Sequence, residues 1–207
     1  MCRSSNRRSN DATELTGCRA NNAVWRRWVA APRVLPSRAV DIGPLLERAG
    51  QAAVRNGYEG AIEALQTALE MVRKDAPLMA KPFLLVAEPA KFYGDYTPRQ
   101  DTVFQPGEQL HFYQEPKNLT YPRTANGLYE PAFSIELRIL SANDQVLAEQ
   151  ERFGFFHFAS KSPLQDIFVN LKVTLTGAPA GDYKIRFMVH DANSKKIAAL
   201  VQPIKLK

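Results

Sequence analysis

At 207 residues, 45% hydrophobic and 23% charged, the chain is long enough for one sizeable core and an accessory element. Its formal charge of +6 sits in residues 1–40, which hold eight Arg, no Lys and only Asp11 and Glu14; from Asp41 onward nineteen basic and nineteen acidic residues cancel. A neutral body lacks the basic excess that binding a phosphate backbone requires, and no run approaches the ~20 apolar residues of a spanning helix, which argues against nucleic acid as a partner and against a transmembrane segment.

Residues 1–40 are rich in Arg, Ser and Asn, contain Pro32 and Pro36, and show no sustained apolar period, the composition of a disordered tail. Both cysteines, Cys2 and Cys18, lie in it, so the body has no disulfide, no Cys-based zinc site and no thiol nucleophile. Leu15-Thr16-Gly17-Cys18 has the form of a lipoprotein cleavage box, and Arg7-Arg8 or Arg26-Arg27 the form of twin arginines, but neither has the adjoining apolar stretch of an export signal. An Arg-only tail ahead of a charge-balanced body also fits a start codon placed too far upstream.

From Asp41 to Ala76 the period becomes helical. Asp41 can cap a first helix with Pro44 in its first turn, and Leu45, Leu46, Ala49, Ala53 and Val54 form an apolar stripe that Asn56-Gly57 stops. A second helix from Tyr58 places Ile62, Leu65, Leu69 and Val72 three and four residues apart, with Ala61, Ala64 and Ala68 allowing close approach, and Pro77 ends it. The two predict a helical hairpin. Leu46, Gly50, Gly57, Ala61, Leu65 and Ala68 resemble the packing positions of a single tetratricopeptide-type unit, although Ala53 stands where an aromatic is usual and the closing proline comes late. One such unit cannot bury its own face, so a sheet domain or another subunit must receive it.

Residues 77–207 predict seven or eight short strands. Phe83–Val86 is followed by a turn-rich connection, and a strand from Gln109 sets Leu110 and Phe112 opposite His111, Tyr113 and Glu115. Asn118-Leu119-Thr120 in the next loop is a formal glycosylation sequon. Phe133, Ile135, Leu137 and Ile139 mark another strand, Val146-Leu147 and Phe153–Phe158 strand fragments, and Ile167 to Leu175 a clear alternation. Tyr183, Ile185, Phe187 and Val189 share one face, and Ile197, Ala199, Val201 and Ile204 begin the closing strand, where Pro203 favours a sheet edge. The expected fold is mainly β, an Ig/fibronectin-III-like antiparallel β-sandwich preceded by the α-helical hairpin and the tail, with domains at 1–40, 41–76 and 77–207. Tyr183, just after Gly181 at a small-residue corner, is read as a structural tyrosine corner.

Tyr93-Gly94-Asp95-Tyr96, Phe104-Gln105-Pro106-Gly107-Glu108, Tyr113-Gln114-Glu115-Pro116, and Gly181-Asp182-Tyr183 with Asp191 and Ser194-Lys195 together resemble a group of uncharacterised bacterial proteins, often exported, with a C-terminal Ig-like sandwich. The resemblance covers roughly 77–207. It implies a periplasmic or exported location, for which this chain shows no recognisable signal peptide, and carries over no activity.

His111, His157 and His190 show neither helical spacing nor a neighbouring His or Cys, and no Gly-x-Ser-x-Gly elbow or phosphate loop is present, so no catalytic residue, cofactor or metal is assigned. The leading expectation is a non-enzymatic interaction or structural module of the bacterial envelope whose partner is another protein or envelope component. The alternative is a carbohydrate- or small-ligand-binding domain using the surface of Tyr93, Tyr96, His111, Tyr113 and Glu115, since tyrosine combines apolar area with a hydroxyl. A metal-dependent hydrolase is the remote third reading.

Overall fold

A computed structural model describes residues 39–207. The expectations for the tail, for Cys2 and Cys18 and for the export-like motifs fall on residues 1–38, outside the described residues. The described chain is mainly β with two helices: α1 (Gly43–Val54), α2 (Tyr58–Asp75), β1 (Met79–Val86), β2 (Val103–Phe104), β3 (Gln109–Lys117), β4 (Ala132–Ser141), β5 (Val146–His157), β6 (Val169–Thr174), β7 (Gly181–Asp191) and β8 (Ile197–Leu206).

The strands form two sheets. One has the order β1-β3-β6 and the other β2-β8-β7-β4-β5, antiparallel except for the short parallel pairing of β2 with β8. Strands alternate side chains between faces, and here the apolar set of each sheet turns toward the other. Leu110 and Phe112 of β3, with Val169, Leu171 and Val173 of β6, bury in one cluster with Phe133 and Ile135 of β4 and Ile185, Phe187 and Val189 of β7. Aromatic rings bridge the sheets: Phe187 meets Phe112 edge-on with centroids 5.1 Å apart, and Phe83 at 5.9 Å. Gln114 also points into this core, fully buried, and neither atom of its carboxamide has a protein partner among the described residues.

Three local readings change. In β8 the inward side chains are Ala198, Leu200, Ile204 and Leu206, whereas Ile197 and Val201 are exposed. The segment carries apolar residues at both parities, and the pairing of Ile185 with Gln202 and Tyr183 with Ile204 fixes the register. Val146 to His157 is one continuous edge strand rather than two fragments, and two register shifts interrupt its pairing with β4. Asp41 is not the helix cap: Ile42 holds that position, and the Asp41 carboxylate accepts from the Gly43 N–H at 3.0 Å.

The hairpin turns where the chain ends α1 with Asn56 in the left-handed region (φ 58°) and the Gly57 N–H returns to the Ala52 carbonyl at 2.8 Å. Ala49, Ala61, Ala64 and Ala68 are its buried residues, so small side chains make the seam between the helices. The C-terminal half of α2 is tied to the sheet body, by a Tyr129 hydroxyl bond to Glu70 at 3.4 Å and most closely through its last turn. Lys196 donates to the Arg73 carbonyl at 2.7 Å and the Asn118 carbonyl at 3.0 Å, placing a cation on the open carbonyls of the helix C-terminus. Asn118 donates to the Pro77 carbonyl, and the Arg73 guanidinium to Gln165.

Candidate functional site

Of the residues singled out, Tyr113 and Glu115 of β3 are brought together with Tyr93 and Tyr96, and His111 is not. Because side chains alternate along β3 and Leu110 and Phe112 enter the inter-sheet core, Tyr113 and Glu115 face away from it, onto a surface that sequence patterning reads as open. The connection after β1 folds back over that surface as a strap. Ala87 and Arg99 bond across its base to Thr97 and Leu85, both at 2.9 Å. Farther out the Asn170 side chain holds Ala90 by both backbone groups, at 3.1 and 2.8 Å. Gly94, at φ 76°, supplies the left-handed turn that only glycine adopts freely, and its N–H donates to the Tyr113 hydroxyl at 2.8 Å.

Under the strap Tyr113 is completely buried, its ring 4.5 Å from that of Tyr96 and 5.6 Å from that of Phe168. The Glu115 carboxylate lies beside them. It accepts from the Tyr113 hydroxyl at 2.8 Å on one oxygen, and from the Tyr93 hydroxyl at 2.7 Å and the Lys117 ammonium at 2.9 Å on the other. Lys117 also donates to the Tyr93 hydroxyl at 3.0 Å. Burial works to raise the Glu115 pKa, but the bonds from Lys117, Tyr93 and Tyr113 outweigh it and hold the carboxyl below its ordinary value. Burial first, and then the adjoining Glu115 carboxylate, push Tyr113 up to about 12. Bonds to Tyr93 and Glu115 raise Lys117. These shifts keep Glu115 ionised, Tyr113 neutral and Lys117 charged through neutral pH. The cluster ties the strap to β3; of the three candidate tyrosines, Tyr96 and Tyr113 lie tilted against each other, while Tyr93 is partly exposed with Lys117 over its ring.

His111 stands apart from this network, half-buried opposite Val86 and Lys172, with no side-chain hydrogen bond among the described residues. The other histidines belong to the second sheet, His157 3.7 Å from Glu130 and His190 3.5 Å from Glu136. No three His, Cys, Asp or Glu side chains gather into a potential metal site among the described residues. Tyr183 donates its hydroxyl to the Pro179 carbonyl at 2.7 Å, fastening the turn that leads into β7. Asp191, buried at the other end of that strand, accepts from the Thr120 and Asn193 N–H groups and the Ser194 hydroxyl.

The exposed apolar surface lies elsewhere. Tyr58, Ile62, Leu65, Leu69 and Val72 recur along α2 at spacings of four, three, four and three, and all five are exposed, Ile62 by 54% and Leu65 by 50%. The sequence shows this stripe, but not that it stays uncovered. That follows from two structural facts: the alanine seam already satisfies α1, and α2 meets the sheet body only along its C-terminal half, where Glu70 accepts from the Tyr129 hydroxyl at 3.4 Å and Leu69 lines a cleft shared with Tyr129 and Pro163 without being buried. Along that half a cleft of about 370 Å³ opens between α2 and the β3–β4 loop, lined by Thr67, Glu70, Met71, Leu119, Tyr121 and Pro163 among others. No described helix is long and apolar enough to cross a membrane.

No family model and no curated protein matches the chain. Among solved structures, the soluble domain of PmoD from Methylocystis sp. ATCC 49242 (Rockwell) is similar over 64% of this chain and 98% of its own, at 11% identity and a TM-score of 0.31. The sporulation control protein Spo0M of Bacillus subtilis is similar over 64% of this chain and 50% of its own, at 9% identity and a TM-score of 0.30. The alkylpurine DNA glycosylase AlkC of Pseudomonas fluorescens, bound to DNA with an abasic site analog, aligns over 79% of this chain and 42% of its own, at 12% identity and a TM-score of 0.34. At these scores the likenesses assign neither a family nor an activity.

Proposed function

We propose that the protein is a non-enzymatic interaction module: an Ig-like sandwich that carries a single tetratricopeptide-like hairpin and presents the apolar stripe of α2 to a protein partner in the bacterial envelope. The observation that carries this reading is the open row from Tyr58 to Val72. In a repeat array such a row receives the next unit; a lone unit leaves it for something else. A contiguous exposed apolar surface on a folded protein costs solubility, and it typically marks an interaction site. The Ig-like reading is supported by strand order: β1, β3 and β6 occupy the places of A, B and E, while β8, β7 and β4 occupy those of G, F and C, with Tyr183 near the start of the F position. The envelope assignment rests on the sequence resemblance.

A photoreactive residue placed at Leu65 in the full chain, expressed in its source cells, tests the reading. A discrete protein adduct is expected at Leu65, lost when Leu69→Glu is added, with none from the same probe at Val201 on the exposed face of β8. Adducts at Val201 alone, or at neither position, would contradict it.

A further inference from the structure

The stripe has the period of a coiled-coil seam, and its flank carries information about what fills it. Spacings of four and three place Ile62 and Leu69 at one core position of a seven-residue repeat and Tyr58, Leu65 and Val72 at the other. Of the two flanks, one is occupied by Ala61 and Ala68, which are buried in the hairpin. The other carries Glu59, Gln66 and Arg73, acidic at the start of the helix, neutral at its middle and basic at its end. A flank with this gradient complements its own reverse.

Resting on the interaction-module reading above, we infer that the occupant of the stripe is a second copy of this chain, with the two α2 helices antiparallel about a twofold axis near their middles. In that register Ile62 of each chain meets Val72 of the other, and Leu65 meets Leu69, so four apolar layers form from four residues per chain. The same register sets Glu59 beside Arg73 of the second copy, twice by symmetry, and Gln66 beside its own equivalent. A parallel pair would instead set this flank against the partner's alanine flank, Gln66 beside Ala61 and Arg73 beside Ala68, and leave its charges unpaired. The two hairpins together make a four-helix arrangement whose inner face is the surface left open in one chain, while each sheet domain lies beside the C-terminal half of its own α2. Arg73 already bonds Gln165 through one guanidinium nitrogen, which orients the group and leaves its other N–H donors for Glu59.

Sedimentation of the full chain across concentrations tests the inference. A species of twice the 23.2 kDa chain mass is expected, and Leu65→Glu with Leu69→Glu abolishes it while the sheet body melts as before. Glu59→Arg alone weakens dimerisation about tenfold, because two symmetric exposed pairs turn repulsive, and adding Arg73→Glu restores it. A chain monomeric at all concentrations overturns the inference, as does a dimer indifferent to Leu65→Glu or a double charge reversal no tighter than either single one. A monomer that still yields the Leu65 photo-adduct to a different protein removes the second copy and leaves the interaction module standing.

Discussion

The sheet body and the helical hairpin dispose of their apolar residues in opposite ways. In the body the core is built of large side chains, with Phe112, Phe133 and Phe187 fully buried, while in the hairpin the buried residues are alanines and the leucines of α2 face outward. A core built from aromatic and branched residues gains enough from burial to hold its own shape. An alanine seam buries little area, so the hairpin owes its place to backbone hydrogen bonding, helix propensity and the Lys196 tether at its base. The difference teaches where folding ends and association begins.

The contrast can be broken at its strongest point first. Phe187→Ala should cost about 3–5 kcal/mol, the range for losing a buried aromatic, whereas Leu65→Ala in the monomer should stay within about 0.5 kcal/mol; paired denaturant titrations read both. Equal losses would mean that the stripe is covered by the chain's own body. Next, Glu115→Gln should remove about 1.5–3 kcal/mol by stripping a charge from bonds to Lys117, Tyr93 and Tyr113. With the folded Glu115 pKa depressed below the ordinary 4.5, its contribution is present above that value and lost as pH falls through the lowered one. Acid titration of the melting temperature should therefore be shallower in Glu115→Gln. Ala64→Leu should overpack the hairpin seam at a cost of about 1–2 kcal/mol, seen as lost helical circular dichroism with the sheet transition unchanged. The smallest effect is a gain: Gln114→Met should stabilise the body by about 1 kcal/mol in thermal melts, because an unpaired carboxamide leaves the core.

The mainly-β architecture with two leading helices is legible in the sequence because strands such as Val169–Thr174 bury one face alone, and alternation then reports burial directly. It fails in β8, where Ile197 to Val201 is apolar at every position and only pairing decides the face. It fails again at Tyr113 and Glu115, since their side of β3 is covered by a strap of sequence some twenty residues upstream. The nearby run Tyr93-Gly94-Asp95-Tyr96 is the trace of that strap, as its glycine turn and two rings match what β3 presents. The α2 stripe is visible as spacing, but whether a row of leucines is core or surface depends on what lies across from it.

The most direct test of the central claim is amide hydrogen exchange of the full chain at low and high protein concentration. The account predicts that amides from Tyr58 to Val72 slow markedly at high concentration while those of β8 do not change. Exchange along α2 that is the same at both concentrations, or protection that appears on the exposed face of the sheets instead, would contradict it.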